Sequence, residues 1–356
     1  PMPLTSDRKK LYVSLWLMAL CAQVILILVV GGLTRLTHSG LSMVNWQPLI
    51  GIIPPLNEKE WLDVFRLYQN FPQFQLVNHK MSLLEFKEIF LWEYAHRVLA
   101  RSVGILFLLP WLFFWLKGWI TSRFAAISFI GFVLGGLQGL LGWFMVQSGL
   151  VFRPSVSHFR LAAHFSLALF IFSFFFWLLL KQNTSLPKIK ARRPLSLSLL
   201  TGSLFTFLVL QIVYGAFVAG LKAGKIYNTF PKMAHHWFPP EALALSPSWI
   251  NFFENWAAIQ FSHRTLAWII IAHVISIAIL WHKKFRHIRL QKPLSWLIFA
   301  LATQFYLGVF TLINKVPIAL ASLHQLGAVF LLSTMIYFVF CYLGSTAQSS
   351  ELNQEP

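Results

Sequence analysis

The chain has 356 residues, 57% of them hydrophobic and only 11% charged, with a mean hydropathy of +0.65 and a formal net charge of +18. A soluble domain carries about 25% charged residues, so this composition excludes a water-soluble globular protein. The positive charge does not mark a nucleic-acid binder, because it falls in alternate connections between apolar runs, the pattern of membrane topology.

About 20 consecutive apolar residues span a bilayer. Eight such runs follow one another at roughly 11–32, 89–116, 124–147, 158–180, 195–219, 256–281, 294–313 and 318–344. In hydrocarbon every backbone polar group must bond internally, so each run is expected to be a helix. Arg8, Lys9 and Lys10 precede span one. Lys117 and Arg123 lie between spans two and three, and Lys181, Lys188, Lys190, Arg192 and Arg193 between four and five. Lys283, Lys284, Arg286, Arg289 and Lys292 lie between six and seven. These three connections contain no Asp or Glu, whereas the others mix basic residues with Glu58, Glu60, Asp63, Glu85 and Glu241. The positive-inside rule therefore places both termini in the cytoplasm and the loops 33–88, 148–157, 220–255 and 314–317 outside. The first run is too long for a signal-peptide core and lacks a cleavage site. A bacterial inner membrane is the simplest address. Cys21 and Cys341 fall within spans, so no disulfide in an outer loop is expected.

The long loop 33–88 carries Pro48, Pro54 and Pro55, then Trp61, Phe65 and Tyr68 at helical spacing. These predict a short amphipathic helix, serving either as a lid over a site or as a packing cover.

Internal similarity organises the rest. Gln138-Gly-Leu-Leu-Gly142-Trp-Phe144 on span three matches Gln304-Phe-Tyr-Leu-Gly308-Val-Phe310 on span seven, with Gln211-Ile-Val-Tyr-Gly215-Ala-Phe217 on span five a looser relative. Tyr94-Ala-His96-Arg97 matches Phe261-Ser-His263-Arg264, and Gly31 to Gly40 has the spacing of Gly215 to Gly224. The expected fold is an all-α membrane protein with eight transmembrane helices, arranged as two pseudo-symmetric four-helix bundles in tandem, residues 1–190 and 191–356. Gly135, Gly136, Gly139 and Gly142 suit either ordinary helix packing or close approach of a flat ligand.

Ionisable residues within spans are costly and usually functional. His96, His164, His263 and His324 each sit on an even-numbered span, a few residues inside its outer end, two per half. Two neutral imidazoles facing each other across a bundle suit the two axial positions of a haem iron. Zinc is less suited, since its sites gather three or four ligands. His38, His79, His158, His235 and His236 near the outer loops, His282 and His287 in a cytoplasmic connection, and His273 deeper on span six are read as non-ligands. Arg97 and Arg264 follow a ligand in each half and serve either to pair with haem propionates or to snorkel to the interface. The halves differ three residues before the first ligand: Glu93 in one, Gln260 in the other. A carboxylate there can accept protons and an amide cannot. Its simpler role is a pair with Arg97, one turn on.

These residues sit in longer runs that resemble the haem A synthase family in its proteobacterial and mitochondrial form. The matching stretches are GGLTRLTHSGLSMVNWQP at 31–48, GIIPPLNEKEW at 51–61, MSLLEFKEIF at 81–90, EYAHR at 93–97, RLAAH at 160–164, YNTFPKM at 227–233, QFSHR at 260–264 and HQLGA at 324–328. They are spread over almost the whole chain. The resemblance implies oxidation of the C8 methyl group of haem O to a formyl group, giving haem A for cytochrome oxidase, with oxygen from water and haem b as cofactor. It implies that His96 and His164 hold the substrate haem, that His263 and His324 hold haem b, and that Glu93 is the catalytic glutamate of the ExxH motif. The paired outer-loop cysteines of the Bacillus-like branch are missing, so a thiol-based electron step does not carry over. The family context implies contact with a haem O synthase and cytochrome oxidase assembly factors. Membrane lipids surround the chain, no nucleic acid is implied, and a homo-oligomer stays open. The rival readings are a di-haem electron-transfer cytochrome with bis-histidine sites and a transporter built on repeats.

Overall fold

A computed structural model describes residues 6–44, 53–150, 154–184, 194–286, 288 and 290–344. Pro48, Lys188, Lys190, Arg192, Arg193, His287 and Arg289 lie outside these. Among the described residues, eight helices are long and apolar enough to cross a membrane. They are α1 (Ser6–Leu36), α4 (Leu83–Leu116), α5 (Ser122–Leu150), α6 (His158–Asn183), α7 (Leu195–Gly220), α9 (Trp256–Lys284), α10 (Gln291–Ile313) and α11 (Ile318–Gly344). Short helices α2 (Glu58–Gln69) and α3 (Pro72–Leu76) follow α1, and α8 (Asn251–Glu254) precedes α9. The protein is an all-α, multi-pass membrane protein, and each expected run coincides with one long helix.

The main departure is α4, which starts six residues before the expected 89. Ser82 and Glu85 form a reciprocal capping box at its first turn: Glu85 N donates to Ser82 Oγ, and Ser82 N to Glu85 Oε2. A helix of 34 residues rises about 51 Å, against a hydrocarbon core of about 30 Å. The first turns of α4 therefore extend past the hydrocarbon and present Phe86 and Phe90 to α2. Asn57 caps α2 by accepting from Glu60 N at 3.0 Å. The α2 aromatic face then packs on α4, burying Phe65, Tyr68, Phe86 and Phe90 together with Trp61 at the edge.

Contacts group the chain into two compact units, Pro1–Phe175 and Phe176–Pro356. The division falls inside α6, whereas the sequence repeat suggests 190/191. In the first unit α4 packs on α1 and α5, and Phe107 of α4 meets Phe132 of α5 and Phe175 of α6. In the second unit α7 packs on α9, α9 on α10, α10 on α11, and α11 on α7, which closes a ring of four helices.

The connection before α9 is built around fully buried Asn251. Its Oδ1 accepts from Leu245 N at 2.9 Å, and its Nδ2 donates to Leu245 O and Ser248 O. Asn255 caps α9 through Ala257 N and donates to Glu241 O. Tyr227 donates its hydroxyl proton to Glu241 Oε2 at 2.6 Å. That bond pushes the Tyr227 phenol up to about 12 and lowers the Glu241 carboxyl below its usual range. The raised phenol stabilises the loop below pH ~10, and the contribution is lost as pH rises through about 12. The depressed carboxyl contributes above its usual range, and that contribution is lost as pH falls through its folded value. Tyr227→Phe is expected to speed proteolysis of the 227–241 segment at neutral pH while abolishing the loop's response to alkali. An unchanged alkaline response would assign it to another group.

Candidate haem sites

Each of the four span histidines lies against a glycine on the preceding long helix. A methyl group built on Gly31 would come 2.7 Å from Cε1 of His96, on Gly142 2.9 Å from Cε1 of His164, on Gly215 3.2 Å from Cε1 of His263, and on Gly308 2.9 Å from Cε1 of His324. In all four the nearest atom is Cε1, so the same ring edge faces the neighbouring helix. The ring Nδ1 atoms of all four are buried without a hydrogen-bond partner. The amide of Gln138, one turn before Gly142, approaches the other ring nitrogen of His164 at 3.5 Å and donates to the His164 carbonyl at 2.9 Å. Gln211, one turn before Gly215, approaches Nε2 of His263 at 3.4 Å. The corresponding position before Gly31 is Ile27, which bonds His96 through its backbone and offers no side-chain amide.

The rings also lie within electrostatic reach of one another in pairs. His164 interacts electrostatically with His96, and His263 with His324. Each half thus brings together two imidazoles carried on different helical hairpins. Among the described residues no three or more His, Cys, Asp or Glu side chains gather as a metal-binding cluster. Four of the other histidines make local contacts. His273 Nδ1 lies 2.9 Å from the Ile269 carbonyl of its own helix. His158 stacks on Phe159, the His38 carbonyl accepts from Gln73, and His236 forms a backbone bridge with Met233.

Glu93 and Gln260 are both 3% exposed and occupy equivalent positions. Glu93 Oε2 accepts from Ser42 Oγ and Met43 N, each at 2.8 Å, and Oε1 pairs with Arg97 at 2.6 Å. Arg97 also donates to Met43 O at 2.9 Å. In the second half Gln260 Nε2 donates to Ala223 O and Ile226 O, while Gln260 Oε1 accepts from Arg264 at 3.2 Å. Arg264 further donates to Tyr227 O and Thr229 O. Both pairs therefore clamp the turn that follows the preceding span, with opposite polarity. The glutamate accepts from its turn, and the glutamine donates to its own. The pairing of Glu93 with Arg97 expected from their spacing is present. Ser42 and Met43 have no sequence signal as partners, because they lie some fifty residues away. The glycine seats did carry a signal, one glycine at a matched place on each odd-numbered span.

A family model for cytochrome oxidase assembly proteins matches residues 14–336. Relatives named Heme A synthase include one from Nitrosospira multiformis, 42% identical over 91% of this chain and 92% of its own length. Others are from Pelagibacter ubique, 42% identical over 96% and 98%, and Wolbachia pipientis wMel, 39% identical over 93% and 92%. The apolar spans, the repeat and these nearly full-length matches lead to one assignment: the chain belongs to the haem A synthase family of cytochrome oxidase assembly proteins.

Proposed function

We propose that the protein is a haem A synthase that oxidises the C8 methyl group of haem O to a formyl group. The observation that carries this reading is the pair of glycine-seated imidazoles in each half, with a carboxylate one turn before only the first pair. His96 and His164 hold the substrate haem, and His263 and His324 hold haem b. The residues fit that group: four partly buried imidazoles have buried Nδ1 atoms with no bond, and Arg264 Nε is a buried donor without a partner, suited to a propionate. When bound, haem b supplies a one-electron acceptor.

Converting a methyl group and one water to a formyl group releases four electrons and four protons. Glu93 lies one turn before His96 and accepts or relays protons in that process. Its Oε2 holds two hydrogen bonds and its Oε1 the ion pair with Arg97. Arg97 and the Ser42–Met43 turn hold the carboxylate in place. The test is pigment extraction from cells co-expressing this chain with a haem O synthase. Haem A is the expected product. Unchanged haem O would leave the di-haem electron-transfer reading in its place.

The enzyme resides in the bacterial inner membrane with both termini cytoplasmic and both haem sites toward the outer face. A haem O synthase and oxidase assembly factors are its partners at the points of substrate supply and product delivery. Reporter fusions at residues 181–194 are expected to be active only as cytoplasmic fusions. Periplasmic activity there would invert the topology.

A further inference from the structure

We infer that Gly31, Gly142, Gly215 and Gly308 are positioning residues that set the depth and plane of the four ligand imidazoles, and that their tolerance to a methyl group is graded. The inference rests on the reading of these histidines as haem ligands. It arises from a contact that recurs four times. Each glycine meets the same edge of the histidine ring on the next long helix, with Cε1 nearest. Ordinary carbon contacts begin near 3.5 Å. An alanine methyl would therefore drive the ring back by roughly 0.8 Å at Gly31, roughly 0.6 Å at Gly142 and Gly308, and roughly 0.3 Å at Gly215. A ligand set must be held to within about 0.5 Å to work. Three seats fall outside that tolerance and one falls inside it.

What sets the four seats apart from ordinary close packing is that each meets the same edge of a histidine ring at a matched place in the repeat. Gly135, Gly136 and Gly139 on α5 and Gly202 on α7 have nothing within 4 Å of an added methyl. Glycines on the same helices therefore include some that meet a ligand ring, some that meet other side chains, as Gly131 meets Phe175 and Gly149 meets Leu41, and some that touch nothing. A helical Gly→Ala change also favours the helix, because alanine is the better helix former. Loss of haem at a seat glycine is thus not a symptom of a weakened helix.

The second half allows the cleanest test, since Gly215 and Gly308 seat the two ligands of one haem. The full-length chain would be purified as Gly308→Ala, Gly215→Ala, Gly202→Ala and His324→Ala, and low-spin haem b per protein read by optical absorption and electron paramagnetic resonance. Folding would be checked by monodispersity and helical circular dichroism. Gly308→Ala is expected to lose low-spin haem several-fold or to shift its resonance signature, with folding intact. Gly215→Ala is expected to keep most of its haem, and Gly202→Ala to match the parent. Full haem with an unshifted signature in Gly308→Ala, alongside loss in His324→Ala, would overturn the positioning role while leaving the ligand assignment standing. Full haem in His324→Ala would overturn the ligand assignment itself. Equal loss in all three glycine variants would assign the effect to packing and also overturn the inference.

Discussion

Glu93→Gln is expected to retain haem b and to let haem O, or a partly oxidised product, accumulate. Glutamine can still accept from Ser42 and Met43 N through its carbonyl oxygen, and Arg97 keeps its bond to Met43 O, so the turn stays held although the ion pair with Arg97 is lost. What disappears is the basic oxygen beside His96. Loss of a general base typically costs about 10²–10⁴ in rate, enough to invert the ratio of haem O to haem A in cells at matched protein levels. Glu93→Ala is the poorer test, because it removes the acceptor for Ser42 and Met43 N as well as the partner of Arg97. The reciprocal change is not silent either. Gln260→Glu would turn acceptor oxygens toward the Ala223 and Ile226 carbonyls that now receive protons from Nε2, so it is expected to loosen the second half. A normal proportion of haem A in Glu93→Gln would reduce Glu93 to its clamping role.

His263→Ala and His324→Ala are each expected to remove the low-spin spectrum of haem b, since each deletes one axial bond. Both variants should still insert, because a transmembrane helix satisfies its backbone internally. Comparison of haem content with membrane-inserted protein separates the two effects. A full haem b spectrum in either variant would show that these imidazoles are not its axial pair.

The membrane explains why so much of the fold was legible in the sequence. A bilayer demands long apolar helices, and all eight runs became such helices. The amphipathic spacing of Trp61, Phe65 and Tyr68 likewise became α2. The start of α4 was not legible from hydropathy, because Glu85, Lys87 and Glu88 make its first turns read as polar. The capping pair Ser82 and Glu85 sets that boundary instead. The connection before α9 has no period to read. Its order comes from Asn251 and Asn255 bonding to backbone that local sequence does not mark. At the site, the repeat exposed the four histidines and the contrast of Glu93 with Gln260. It did not expose the clamps, because hydrogen-bond polarity toward a distant turn leaves no trace in composition. Gly31 and Gly215 stood out only as repeat-matched positions until the rings beside them were placed.

Every seat is made by two consecutive membrane-spanning helices: α1 with α4, α5 with α6, α7 with α9, and α10 with α11. The smallest unit able to present an oriented imidazole is therefore a single helical hairpin, whereas a complete axial pair needs two. During synthesis each hairpin can finish its own seat on entering the bilayer, before the next is made. Haem capture has to wait until the second hairpin of a half arrives. A nascent chain stalled after α9 would hold three seated imidazoles but only one finished pair, so the first half is complete while the second is still half-written.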